Sequence, residues 1–216
     1  MTAISPDYDR DPERWLAVDR SLHGKVHASV AARIVAERLS PVADVGGGDG
    51  ALAGQLPADW PVILLDASPN QLRRASGMRV QADAVCLPLP DHSVGAVAML
   101  WMLYHLDDPR PAIVEARRVL RPGGLFAAAT RSRNNDPELS DGLRPTTFDA
   151  EEAESIVGAV FDAVRVTRWD RPAVCLPDRA AVLRYCRSRG LPADAADRVS
   201  PPVWLTKRGC VVWARA

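Results

Sequence analysis

Apolar positions in this chain follow two rhythms that alternate along its length. Over Val26 to Leu39 (VHASVAARIVAERL), Val30, Ile34 and Val35 lie near one face at helical spacing, and Ser40-Pro41 ends the run, which predicts an amphipathic helix. The short apolar run Val42 to Val45 predicts a buried strand. The alternation continues with a helix from Asp49 to Leu56, a strand Val62 to Leu65, a helix Pro69 to Ala75, and strands near Val80 to Ala82 and at Val94 to Leu100. A helix Arg110 to Leu120 and a strand Leu125 to Thr130 follow. The remainder reads as a helix near Ala150 to Val160, a strand Ala163 to Trp169, a helix Arg179 to Ser188 and a last strand Cys210 to Ala214. Strands that are apolar throughout and separated by helices imply a parallel sheet covered on both faces, a doubly wound α/β domain.

Composition narrows the reading. The 216 residues suit a single domain, 1–216, able to bury about 70% of its unfolded surface. No repeat or low-complexity tract divides it, and its 18 prolines are dispersed between short elements. Lys+Arg and Asp+Glu both number 27, which removes the broad attraction that draws proteins to nucleic acid or anionic membranes. Cys86, Cys175, Cys186 and Cys210 contain no CxxC pair, so neither a disulfide framework nor a metal site is indicated. The opening MTAISPDYDRDPERW is polar and acidic, and no apolar run reaches the roughly 18 residues of a membrane helix. The expectation is a cytoplasmic protein, monomeric or a homodimer.

The most informative stretch is VADVGGGDGALA, residues 42–53, where a buried strand runs into three consecutive glycines. Glycines permit positive φ and close approach of a ligand, and a following helix would offer it unpaired N–H groups. Gly46-x-Gly48-x-x-Ala51 alone fits a dinucleotide fingerprint. With Asp44 and Gly50, the pattern Asp44-x-Gly46-x-Gly48-x-Gly50 resembles motif I of the class I S-adenosyl-L-methionine (SAM)-dependent methyltransferases. Further segments carry the same resemblance across residues 42–130: VILLDASPNQL with Asp66, QADA followed by CLPLPDHS with Asp83, VGAVAMLWMLYHLDDP, and RRVLRPGGLFAAAT.

The resemblance implies a Rossmann-like, mostly parallel seven-stranded sheet with one antiparallel strand, and a site at the strand tips. Asp44, Gly46, Gly48 and Gly50 would cradle SAM, Asp66 with Ala67 would meet its ribose, Asp83 with Ala84 its adenine, and Leu100 would flank it. Residues 1–25 would form a lid, with Tyr8 and Trp15 lining the substrate pocket and His23 and His27 close by. Residues 170–208 would form a substrate-side insertion. Trp101 and Tyr104 are candidate substrate walls, and His105 is the candidate general base, since a neutral imidazole can take a proton near neutral pH. Arg131, Arg133 and Asn134 lie where they could meet a polar substrate.

Plainer readings stand beside these. Asp66 could cap the helix at Pro69, although Ser68 is better placed; Asp83 could be a turn acid; Gly123-Gly124 reads as a tight turn; His92 reads as exposed. Gly95 departs from the family, whose members commonly carry Asp there. The function implied is methyl transfer to a small-molecule acceptor, with S-adenosyl-L-homocysteine (SAH) as product. The alternatives are a SAM-binding regulator or partner subunit, a protein or RNA methyltransferase, and an NAD-dependent oxidoreductase.

Overall fold

The computed structural model describes residues 20–141 and 145–216. Tyr8, Trp15 and most of the expected lid lie outside these residues. Helix α1 (Arg20–Ala36) leads into β1 (Val42–Val45), and β2 (Val62–Asp66), the single turn α2 (Pro69–Leu72), β3 (Met78–Gln81) and β4 (Val94–Leu100) follow. Helix α3 (Arg110–Val119) runs into β5 (Leu120–Arg131), then come α4 (Ala153–Gly158), β6 (Val164–Leu176), α5 (Arg179–Arg189) and β7 (Val203–Arg215). The seven strands form one sheet in the order β3-β2-β1-β4-β5-β7-β6. Pairing is parallel from β3 to β5, and β7 is antiparallel to both β5 and β6.

Alternate residues of each central strand face opposite layers. Phe126 and Ala128 of β5 pack with Ile113 and Ala116 of α3, whereas Leu125, Ala127 and Ala129 pack with Val30 and Ile34 of α1. Every residue of β1 and β4 is buried, as expected of strands covered on both faces. Phe126 stacks on Phe161 with centroids 5.0 Å apart. A third, smaller core gathers Leu139, Leu176, Val182, Tyr185 and Leu205 around α5 and the outer ends of β6 and β7.

Several boundaries differ from the sequence reading for local reasons. Helix α1 ends before Leu39 because Arg38 turns left-handed at φ 55, with Leu39 N–H donating to Ile34 O and Arg38 N–H to Val35 O, a Schellman closure. The helix expected over Asp49 to Leu56 does not form. Gly46, Gly48 and Gly50 hold φ of 67, 58 and 87, so the chain coils through turns to a short 3₁₀ segment at Ala53–Gln55. Pro122-Gly123-Gly124 is a bulge inside β5 rather than a turn before it: Leu120 already pairs with Val94, and the register resumes at Leu125 with Ala96. Strands β6 and β7 extend well beyond their expected ends because they pair with each other from Val164–Ala214 to Leu176–Val203.

Gly95 is explained by packing. A Cβ there would stand 2.6 Å from Ser40 N and 3.0 Å from Ser40 O, so the residue lets the segment entering β1 cross β4 closely.

Candidate functional site

The tips of β1, β2, β3 and β4 converge on one cavity of about 230 Å³. It is lined by Asp44, the glycine turn Gly46–Gly48 and Asp49; by Asp66, Ala67, Ser68 and Gln71; and by Ala82, Asp83 and Ala84. Leu100, Trp101, Met102, Tyr104, His105, Leu106 and His27 close the remaining side. The carboxyl ends of strands in an open α/β sheet are where such folds bind ligands. Within the described chain, Arg131, Arg133 and Asn134 are not among the residues that line this cavity, whereas every residue expected to hold SAM, wall the acceptor or act as base lies on it except Gly50. The position expected to cradle the ligand instead meets Leu64 and Ala75 behind the turn, 3.4 and 3.7 Å from where a Cβ would sit.

The turn is held by its own carboxylates. Asp66 Oδ2 accepts from Gly48 N–H at 2.9 Å and Asp66 Oδ1 from Ser68 N–H at 2.8 Å, so one acid ties the glycine turn to the β2 tip. Ser68 caps α2, its hydroxyl accepting from Gln71 N–H, with Pro69 in the first helical turn. Asp83 Oδ1 accepts from Val85 N–H at 3.1 Å, a turn contact, while its residue also lines the cavity. Sequence reasoning passed over Gly47. A Cβ at Gly47 would lie 2.5 Å from the Asp44 carboxylate, and one at Gly46 would lie 2.7 Å from Met102. Three successive glycines were the available signal. Gln71, Asp49, Met102 and Leu106 left no local signal, because their place in the wall depends on chain brought from elsewhere.

Charge and burial divide the cavity. Asp44 is 2% exposed. Burial, reinforced by the negative charges of Asp66 and Asp49, raises its carboxyl pKa from 3.8 to about 7. Among the described residues Asp44 Oδ2 and Gln71 Oε1 are buried without a hydrogen-bond donor, two orphaned acceptors bordering the same space. Such groups are costly unless a donor fills the site. The opposite side is aromatic. Trp101 takes a left-handed backbone, φ 62, and its indole meets Trp169 at 5.9 Å between centroids. The neighbouring Gly209 leaves room for Trp169, since a Cβ there would fall 2.4 Å from the indole.

His105 faces the cavity with its ring 4.5 Å from that of Tyr104. Enclosure by the surrounding chain, aided by the charge of Arg131, lowers its pKa to about 4. The imidazole is thereby held in its neutral form, the form that the expected base would need. Because the ring still opens to the cavity, the lowering is felt in full only when a ligand displaces water. Arg133 is engaged with Glu152, Glu151 and the fully buried Asp149, so the polar-substrate role considered for it falls away. His92 is exposed, its Nδ1 2.9 Å from Leu120 O.

Known proteins agree with this architecture. A family described as "Methyltransferase domain" matches residues 43–128. The 27-O-demethylrifamycin SV methyltransferase of Amycolatopsis mediterranei is 29% identical over 177 residues, covering 74% of this chain and 58% of that protein. The malonyl-[acyl-carrier protein] O-methyltransferase of Methylococcus capsulatus is 32% identical over 151 residues, 59% of this chain and 55% of that protein. The chain thus spans between half and three-fifths of the length of such curated relatives. A solved SAM-dependent methyltransferase of Thermotoga maritima shares the fold at TM-score 0.58 and 18% identity, covering 96% of each chain. The matched segment runs from β1 to within β5 and carries all four strand tips of the cavity, and across those residues the chain is similar to a methyltransferase domain.

Proposed function

We propose that this protein binds SAM in the strand-tip cavity and transfers its methyl group to a small-molecule acceptor, releasing SAH. The observation that carries the reading is the pair of donor-less buried acceptors, Asp44 Oδ2 and Gln71 Oε1, beside a glycine turn ringed by Asp44, Asp49, Asp66 and Asp83. This surplus of acceptors and negative charge suits a ligand that is cationic and rich in hydroxyl and amine donors.

The cofactor-side residues divide the ligand among them. Asp44 and the backbone of Gly46–Gly48 hold the amino-acid end, Asp66 and Gln71 receive ribose hydroxyls, Asp83 and Ala84 meet the adenine, and Leu100 flanks it. When bound, SAM supplies a methyl group already activated on a cationic sulfonium, which an acceptor lone pair displaces as the electron pair of the S–CH₃ bond passes to sulfur. The protein's remaining tasks are to align the acceptor and exclude water, and alignment can supply on the order of 7–11 kcal/mol. Trp101, Tyr104 and Met102 wall the acceptor, and His27 on α1 closes the space from above. Neutral His105 orients the acceptor by a hydrogen bond rather than storing its proton.

A small acceptor is supported by the modest cavity and by equal numbers of acidic and basic residues. The relative named for demethylrifamycin SV points the same way. Residues 170–208, which supply every buried residue of the third core except Leu139, form the acceptor side in this reading. Calorimetric titration with SAH, beside an Asp66→Ala variant and an NADH control, tests cofactor binding; transfer of labelled methyl from SAM across a panel of small acceptors tests the activity. SAH binding that Asp66→Ala weakens, followed by labelled product, supports the reading. Preference for NADH would overturn it, and SAH binding without transfer to any acceptor would reduce the protein to a SAM-binding module.

A further inference from the structure

Asp83 and Ala84, which line the cavity, sit at the head of a closed turn beyond β3. Cys86 N–H donates to Asp83 O at 3.0 Å, Val85 N–H donates to Asp83 Oδ1 at 3.1 Å, and Asp83 and Cys86 form an isolated antiparallel bridge. Residues 87–93 then run to β4 with no helix or strand of their own. A segment outside the sheet has no neighbouring strand to hold its peptide groups, so something else must take them. Helix α3 supplies it. Leu87 N–H donates to Glu115 Oε2 at 2.8 Å, and Leu87 O accepts from Arg118 Nη2 at 3.0 Å. Arg118 Nε and Nη2 also donate to the two Glu115 oxygens at 2.7 and 2.8 Å, so the ion pair and the Leu87 peptide groups close one ring. Arg118 Nη1 extends the grip to Leu89 O at 2.9 Å.

The Arg118 guanidinium, opposed by burial and aided by the Leu87 N–H, holds the Glu115 carboxyl below its usual value. An ion pair between helix neighbours does little for stability by itself, whereas charged bonds to a loop's peptide groups fix where that loop stands. Ala84 and Leu87 are buried in the core beneath, so the turn is held by side chains below and by its backbone from α3. We propose that Glu115 and Arg118 are positioning residues for base recognition: by clamping Leu87 they hold the Asp83–Cys86 turn against the cavity and set its preference for adenine over the deaminated base. The proposal rests on reading the cavity as a SAM site with Asp83 and Ala84 at the adenine. Glu115 and Arg118 act through the turn and do not touch the ligand. The amino group of adenine can donate to the Asp83 carboxylate, whereas deamination puts an acceptor oxygen in its place, and the two acceptors then repel. That discrimination depends on where the carboxylate is held.

SAH and S-inosylhomocysteine, which differ in the base alone, are the probes, titrated calorimetrically into the protein and its variants. The wild type is expected to bind SAH about 10-fold or more tightly than the analogue. Glu115→Ala and Arg118→Gln should each cut that ratio to about 3-fold or less by weakening SAH more than the analogue. Glu115→Gln, which keeps an acceptor for Leu87 N–H, should retain part of it. Arg117→Gln removes a side chain of the same helix whose partners are Val160 O and Asp162, and should keep the wild-type ratio whatever it does to the melting midpoint. Affinities unchanged in Glu115→Ala and Arg118→Gln, or lowered equally for both probes, would make the pair a prop of the fold alone and overturn the proposal. Should Glu115→Ala fail to fold, the ratio in Glu115→Gln and Arg118→Lys decides, supporting the proposal if reduced and refuting it if unchanged. A wild type that binds both probes equally would overturn the adenine assignment together with the proposal. Failure of SAH itself to bind would overturn the cofactor reading, which separates the failures.

Discussion

Gly48 and Asp66 are joined by a 2.9 Å hydrogen bond from the Gly48 N–H to Asp66 Oδ2, so the acid assigned to the ribose is also the clasp of the glycine turn. Its other oxygen takes the Ser68 N–H at 2.8 Å. Replacing Asp66 by Ala therefore strands two backbone donors. A hydrogen bond to a charged group contributes about 1.5–3 kcal/mol. The variant should bind SAH at least ~10-fold more weakly by calorimetry and melt at a lower temperature even without ligand. Weakened binding with an unchanged melting midpoint would show that the clasp contributes nothing to the fold.

Three glycine substitutions should separate by space alone. Gly95→Ala drives a methyl to 2.6 Å from backbone at Ser40 that has little room to yield, and Gly47→Ala drives one to 2.5 Å from the Asp44 carboxylate. Each should cost about 1–3 kcal/mol by chemical denaturation, the overpacking range. Gly47→Ala should also abolish SAH binding, whereas Gly95→Ala, remote from the cavity wall, should reduce stability far more than affinity. Gly54→Ala, in open space, should be close to neutral in both.

Asp44 makes stability depend on pH in an unusual direction. With its carboxyl raised from 3.8 to about 7 by burial and by Asp66 and Asp49, folding takes up a proton between those values. The ligand-free protein should therefore lose stability from this group as pH rises from about 4 to about 7, with no further loss above. Asp44→Asn should flatten that slope and raise the melting midpoint at pH 8 while weakening SAM binding. Because a cationic ligand favours the charged carboxylate, binding below pH 7 should release a proton, measurable as a calorimetric heat that changes with the ionisation enthalpy of the buffer. A slope unchanged in Asp44→Asn would assign the dependence to other groups.

His105 gives the contrasting case. Its pKa, lowered to about 4 by enclosure and by Arg131, leaves the imidazole neutral across the physiological range. The rate of methyl transfer should show no limb near pH 6.5. His105→Gln, which retains hydrogen-bonding capacity, should lower kcat by less than the ~10²-fold at which general-base losses begin. A limb near pH 6.5 that vanishes in His105→Gln would restore the imidazole as a base.

The parts of this molecule that were legible in the sequence are those fixed by short-range patterns. Val42–Val45 and Val94–Leu100 form the expected strands to the residue, since a continuous apolar run buried on both faces has few other solutions. Ser68 caps α2 as its type and the following Pro69 suggest. The helix after the glycine turn failed because three positive φ angles postpone helical geometry until only a few residues remain before Pro57. The outer halves of β6 and β7 were missed because their extended form comes from pairing with each other, from Asp170–Arg208 to Leu176–Val203, in mixed sequence with no apolar run. The acids at the tips of β1, β2 and β3 were readable from their motifs.

The third core has a bearing on how such a protein changes over generations. Leu139, Leu176, Val182, Tyr185 and Leu205 pack apart from the two layers that flank the sheet, and only the outward runs of β6 and β7 and the chain leaving β5 join them to it. On the proposed assignment of residues 170–208 to the acceptor side, substitutions there would alter what is offered to the acceptor while the glycine turn and its acids keep their positions. The chain is in this sense two inheritances on one scaffold. The sheet and its strand tips must stay constant to keep hold of one ligand, and the outlying lobe is free to drift towards another.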